Sequence, residues 1–356
     1  MLRKIPQSIA CKLDCNLHKQ EHHPVAIVKQ KVVDYLQTAT DGSFTVFQDL
    51  PKQVGTFDNF DALRIPADHP SRSQSDTFYV SDTTVLRTHT SAHQHQLLKA
   101  GHKNFIVVGD VYRRDEVNRT HFPVFHQLEG VMQCGNDDPS TLLRNMLTGL
   151  VQALFPSHAY KINDDHFPFV TDGMEVEVEV GTDLLEILGG GTVHPQVLEY
   201  AGVQTDEKLI AWGLGLERLA MILFHIPDIR LFWTQDQKFL SQFSSNRIST
   251  FVPYSVVEPV DRDISFFVNQ VSDSGTWTYL NEFYEVVRDS AGDMIESVVL
   301  YDKFFHPKTQ KLSHTFRIRY SPVASCTNAA DLIACANDSV SKLRSEIADM
   351  FGINLR

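Results

Sequence analysis

Cysteine is scarce and unpatterned. The five cysteines among 356 residues, Cys11, Cys15, Cys134, Cys326 and Cys335, contain no C-x-x-C pair. That excludes a disulfide scaffold or a zinc ribbon and points to reduced thiols. No apolar run is long enough to span a bilayer, so no membrane role is expected. Positive charge is also short: 32 Lys and Arg stand against 44 Asp and Glu, a net charge of −12. This excludes a general nucleic-acid coat but allows a local basic patch for one RNA, because the relevant field is local. The glycine-rich stretch 211–219 lacks the G-x-x-x-x-G-K-[ST] spacing of a P-loop. No Ser-His-Asp or Cys-His arrangement stands out, so a side-chain nucleophile is not expected.

What is present is a globular composition, 42% hydrophobic and 21% charged, with length for two domains. The opening MLRKIPQSIACKL is basic and has no acid before Asp14, which suits either an organelle-targeting peptide or a frayed tail. Residues 1–22 are therefore expected to be an irregular tail. His23-Pro24 opens a helical pattern, and Ser140 to Phe155 is strongly amphipathic. Thr90 or Ser91 can cap a helix that Gly101 ends. Residues 104–133 read as two strands and a polar loop. Met174 to Val180 alternates valine and glutamate, and Leu184 to Leu188 follows as a strand that Gly189-Gly190-Gly191 breaks. The catalytic domain is placed at 23–240. The Ser-, Gln- and Asn-rich stretch after it is read as a connector, 241–258, and a second domain spans 259–356. That domain's order of strand, helix, strand, strand, helix implies an α+β plait.

The stretch Val107 to Gln133 carries the most chemistry. Arg113 and Arg114 end its first strand, and Phe125, Gln127 and Glu129 share one face of the second by period-2 spacing. Two arginines alone are usually solvated loop charges. Beside an aromatic, an amide and a carboxylate they suit an anionic, planar ligand. Arg218, in Gly213-Leu-Gly-Leu-Glu-Arg218, opens an apolar helix at a junction where phosphate can sit, although a tight turn with an exposed charge reads the same. Glu175, Glu177 and Glu179 can be merely a wet strand face. Glu177 is assigned a Mg²⁺ or substrate role, because an ATP site needs a few oxygen ligands. Phe167-Pro-Phe169 can be core or can line an aromatic pocket. His89, Ser91, His93 and Gln94 gather at one helix start. A cradle for a carboxylate or ammonium fits them better than zinc, which would call for Cys or a placed carboxylate.

Taken together, VYRRDE…VFHQLEG and GLGLERLAMILFHIPDIRLFW resemble motifs 2 and 3 of the class II aminoacyl-tRNA synthetases. The segments IPADHPSR, LRTHTSAHQ, VVGDVYRRD, FPF, LEILGGG and DIRLFW are similar to the single-chain mitochondrial type of phenylalanyl-tRNA synthetase. DISFFV, EFYEVVRDSAGDMIESVVLYDKF and HPKTQKLSHTFRIRY resemble its ferredoxin-like anticodon-binding domain. The resemblance runs from about Asn16 to the end. Its departures are Val170-Thr-Asp-Gly173 where His-Pro-Ser is typical, Gly189-Gly190-Gly191 where Gly-Cys-Gly is common, and a very short insertion around Cys134 to Ser140.

The resemblance implies an α+β fold with an antiparallel synthetase sheet flanked by helices, plus the C-terminal plait. It implies ATP and Mg²⁺ as cofactors and L-phenylalanine and tRNA(Phe) as partners, in a monomer of the mitochondrial matrix. Arg113 and Arg218 would act on the phosphates. Thr120, His121, Phe122, Phe125 and Trp212 would join them around ATP. His89, Ser91, Ala92, His93, Gln94, Gln127, Leu128, Glu129, Phe167, Phe169 and Glu186 would surround the amino acid and adenylate. Lys303, Lys308, Lys311, Arg317 and Arg319, in a stretch without acids, are the candidate tRNA contacts, though a solvated face is the plainer alternative. The competing functions are a class II ligase for another amino acid and an inactive relative that only binds RNA or protein.

Overall fold

The computed structural model describes residues 5–254, 257–271, 276–323 and 328–353; Cys326 lies outside them. Nine strands precede residue 240: β1 Thr45–Phe47, β2 Gln53–Gly55, β3 Thr84–Leu86, β4 Phe105–Tyr112, β5 Val124–Gln133, β6 Tyr160–Asp164, β7 Val170–Val180, β8 Asp183–Val193 and β9 Leu209–Gly215. Seven of them form one sheet in the order β1-β4-β5-β9-β8-β7-β6. Every pairing in it is antiparallel except β1 with β4. Helices Pro24–Ala39, Pro139–Leu154 and Leu216–Phe224 bury their apolar stripes on one face of this sheet. Val28, Val32, Leu143, Leu147 and Leu219 meet Val108, Leu128, Val176, Leu188 and Leu214 there. Period-2 alternation sends the intervening residues of β5, Phe125, Gln127 and Glu129, to the other face.

The second sheet has three antiparallel strands, β10 Val260–Phe267, β11 Ile295–His306 and β12 Lys311–Tyr320, in the order β10-β12-β11. Helices Leu280–Ala291 and Ala329–Phe351 pack on it through Phe283, Val287, Leu332, Ala336 and Leu343. The strand-helix-strand-strand-helix order is as read from the pattern, and among the described residues the sheet stops at three strands.

Four expectations need correction or refinement. Residues 7–19 are not an irregular tail: Gln7–Ala10 and Leu17–Lys19 are short helical turns, and Ile9 and Leu17 are buried in the main core. Apolar anchors spaced eight apart give no periodic signal. The stretch 241–258, read as a connector, carries core anchors over its described residues. Phe243 and Phe251 are buried and pack against Phe239, edge-on and tilted respectively, and the polar composition masked these anchors. The three glycines do not break β8, which runs through them to Val193. A Cβ at Gly190 would lie 2.5 Å from the Ala211 carbonyl, and one at Gly191 would lie 2.6 Å from Val170, so glycine is what lets these strands close. Ser91 and Thr90 make no helix cap. The Thr90–His93 turn is 3₁₀, and the Ser91 hydroxyl is used elsewhere.

Candidate active site

Two cavities open on the free face of the seven-stranded sheet. The first, of about 350 Å³, is lined by Arg113, Thr120, His121, Phe122, Phe125 and Arg218 together with Asp115 and Glu217. The second, of about 300 Å³, is lined by His89, Ser91, Gln94, Glu129, Phe167 and Phe169 together with Thr90 and Trp212. Arg113, Gln127, Glu186 and Gly213 line both, so the cavities share one wall.

Arg113 is set by the end of β4. Its Nε donates to the Thr88 carbonyl at 2.8 Å, and its guanidinium lies 5.2 Å over the Phe125 ring. Desolvation by the surrounding cleft holds this guanidinium below its usual range, although the residue is exposed overall. The nearby Arg218 charge pushes the same way, against Asp115 and Glu186. Two exposed cations this close make a cleft that an anion would relieve. Arg218 is half exposed, and its Nη1 donates to the Glu186 carbonyl at 2.8 Å. Arg114 turns the other way and pairs with Glu285 of the second unit at 2.8 Å. Asn118, which sequence reasoning missed, holds the loop: its Oδ1 accepts from the backbone and side chains of both Thr120 and His121.

The second cavity has an excess of acceptors at one end. Glu129 is buried and accepts from Ser91 Oγ and from Gln94 Nε2, the latter at 2.7 Å. Burial raises its carboxyl to about 7, with the Ser91 and Gln94 bonds opposing. His89 is held neutral, its pKa pushed down to about 3 first by burial and then by Arg113. Its Nε2 faces the Asn59 carbonyl at 3.0 Å and so carries the proton. That leaves Nδ1 an acceptor, and both it and Gln94 Oε1 are buried without a partner. Three acceptors without a cation form a fit for an ammonium group. At the other end the Phe167 and Phe169 rings lie 5.9 Å apart and near parallel.

Some expected contacts fall elsewhere. Ala92, His93 and Leu128 are buried but line neither cavity. Ala92 and Leu128 pack in the core, and His93 Nε2 faces Arg87 Nη1 at 3.0 Å. Trp212 borders the second cavity, not the first, with its ring packed edge-on against Phe44. Glu177 lines neither cavity and accepts from Asn163 at 2.7 Å. Glu186, opposite it in register across β7 and β8, is the carboxylate that both cavities share. Among the described residues no three ligating side chains gather for a metal. A Mg²⁺ ion fits here only as one that keeps phosphate oxygens as most of its ligands, with Glu186 as the candidate protein ligand.

Two arginines of the candidate RNA face are already paired. Arg317 forms two bonds of 2.9 Å with Asp263 and lies 3.7 Å over Tyr301, and Arg319 pairs with Asp261 at 2.9 Å. Lys308 and Lys311 are exposed, as is Lys303 on β11. Tyr301, Phe304 and Phe305 are exposed beside them, aromatics that charge counting overlooked.

The tRNA synthetases class II core domain (F) matches residues 11–243. The chain is 41% identical to the chloroplastic/mitochondrial phenylalanine–tRNA ligase of Arabidopsis thaliana, over 99% of this chain and 82% of that one. It is 41% identical to the mitochondrial phenylalanine–tRNA ligase of Mus musculus, over 89% and 78%. It is 33% identical to that of Saccharomyces cerevisiae, over 91% and 87%. The chain belongs to the class II tRNA synthetases, in the group that carries the F-type core domain.

Proposed function

We propose that this chain is a phenylalanine–tRNA ligase of organellar translation. It activates L-phenylalanine with ATP and transfers it to the terminal adenosine of tRNA(Phe). The observation that carries this reading is the shared wall: Arg113, Gln127 and Glu186 bound both cavities, so an amino acid in one meets a nucleotide in the other. The ammonium group is held by Glu129, Gln94 and the neutral His89, and the ring lies against Phe167 and Phe169. The substrate's carboxylate then points at the wall and attacks the α-phosphorus, and pyrophosphate leaves. No side-chain nucleophile is needed. Arg113 and Arg218 stabilise the charge that develops on the phosphates, an electrostatic role that needs no covalent chemistry from the protein. A Mg²⁺ ion, with Glu186 and the phosphates as ligands, would add neutralising charge. A ribose hydroxyl of the tRNA's terminal adenosine next attacks the adenylate's carbonyl carbon, and AMP leaves.

Residues 23–240 carry the activation chemistry in this reading, 241–258 join the units, and 259–356 form the anticodon-binding plait. Lys303, Lys308 and Lys311, with the exposed Tyr301 and Phe305, offer charge and stacking to single-stranded bases. A monomer is proposed, as both cavities are lined by residues of one chain, and the mitochondrial names of the relatives support the matrix as its place. Charging of a tRNA(Phe) transcript with labelled phenylalanine tests the proposal. ATP-dependent label that mild base releases is the expected result. Preferential charging with a different amino acid would refute it.

A further inference from the structure

His126 is out of place on β5. Its neighbours on the same face, Val124 and Leu128, are apolar and fully buried, and His126 is buried among them. Phe125 and Gln127, on either side, line the nucleotide cavity. The β5–β9 ladder ends at the pair Gln127–Gly215, where β9 passes into the helix Leu216–Phe224. The next β5 amide, His126 N–H, therefore has no strand to bond. Glu217 takes that place. Its Oε2 accepts from the His126 amide at 2.7 Å, and its Oε1 accepts from the same residue's Nδ1 at 2.6 Å. Both side chains are almost wholly buried. A carboxylate in the first helical turn also meets the positive end of the helix dipole.

We infer that Glu217 and His126 are a positioning pair that sets the reach of Arg218 across the nucleotide cavity. Arg218 follows Glu217 in sequence, and Gly215, at the helix start, supplies no side-chain cap. Two bonds from one carboxylate to the backbone and side chain of one residue fix the first helical turn in rotation as well as in translation. They do so at the residue between Phe125 and Gln127. The strand that carries the aromatic and the helix that carries the arginine are thereby registered to each other. Neither Glu217 nor His126 needs to touch a phosphate for this to matter, because a misplacement of about 1 Å at the reacting centre costs about 100-fold.

The inference rests on the proposed ligase activity, and ATP–pyrophosphate exchange by the intact enzyme tests both. Glu217→Gln preserves shape and one acceptor, so the fold should survive. Expected is a fall of about 10- to 100-fold in kcat/KM for ATP with KM for phenylalanine within about twofold of the parent. His126→Asn, which keeps a donor near the Nδ1 position, should stay within about threefold. His126→Leu should match Glu217→Gln, and the double variant Glu217→Gln/His126→Leu should be no worse than either single, because the pair acts as a unit. An active parent with a Glu217→Gln variant of unchanged kcat/KM for ATP overturns this inference alone. So do equal losses toward both substrates, or single effects that multiply in the double variant. A parent with no phenylalanine-dependent exchange overturns the ligase reading and this one together.

Discussion

Glu129 meets only neutral partners, Ser91 and Gln94, in a buried setting that raises its carboxyl to about 7. An ammonium group needs the ionised form, so kcat/KM for phenylalanine should rise with pH through about 7. A flat profile between pH 6 and 8 would count against Glu129 as the ammonium ligand. Stability should run the other way. A carboxyl raised above its unfolded value supports the fold below that value and loses this support as pH climbs through about 7. Glu129→Gln should therefore abolish activation yet unfold at higher urea than the parent at pH 8, by on the order of 1–3 kcal/mol, with the gain shrinking toward pH 5. A variant less stable than the parent at pH 8 would show that the carboxylate is compensated. The same pocket has Phe167 and Phe169 at its ring end, and apolar walls reject an added hydroxyl weakly. Tyrosine should compete as a substrate, discriminated by no more than about 100- to 1,000-fold in exchange. Complete exclusion of tyrosine would require a polar gate that these residues do not supply.

At the scale of elements, close approach governs the sheet that carries the site. A Cβ at Gly130 on β5 would sit 2.1 Å from the Trp212 ring of β9. Gly130→Ala should cost about 1–3 kcal/mol in urea unfolding, through forced displacement of a large buried ring. An unchanged midpoint would mean that the ring has room to move. The same crowding marks what the sequence could and could not tell. Alternation in Met174–Val180 and amphipathicity in Pro139–Leu154 are local properties, so those elements were legible, as was the order of the second unit. The β8 glycines read as a breaker because their reason lies in Val170 and Ala211, residues on neighbouring strands. Edge strand β6, Tyr160–Asp164, alternates only through Tyr160 and Ile162, too short a run to stand out, and went unread. Within the site, Arg113, Gln127, Glu129 and Arg218 follow from residue type and period. That Glu186 and not Glu177 enters the cavities depends on a register shift between β7 and β8 that no single-strand pattern contains.

Across the whole molecule, the seven-stranded and three-stranded units are joined by buried charge. Arg230 pairs with Asp228 at 2.6 Å and donates to the Asp293 and Ser321 carbonyls of the second unit at 2.9 and 3.1 Å. Lys12 reaches Asp293 at 3.0 Å, and Val117 of the nucleotide loop bonds Val298 of β11 at 2.9 Å. Arg230→Ala would leave Asp228 without its partner at this junction. A loss of about 3–5 kcal/mol is expected in thermal or urea unfolding, and a loss below about 1 kcal/mol would mean that the junction contributes little. The site and the junction share the 113–123 loop, so its anchoring bears on activation as well as on assembly. The most direct measurement is ATP–pyrophosphate exchange across the twenty amino acids, run in parallel on the parent and on Arg218→Ala. Phenylalanine should support the fastest exchange, tyrosine should follow, and the variant should lose about 100- to 1,000-fold while keeping its unfolding midpoint. Exchange that favours a different amino acid, or a variant as active as the parent, would contradict a phosphate site built from Arg113 and Arg218.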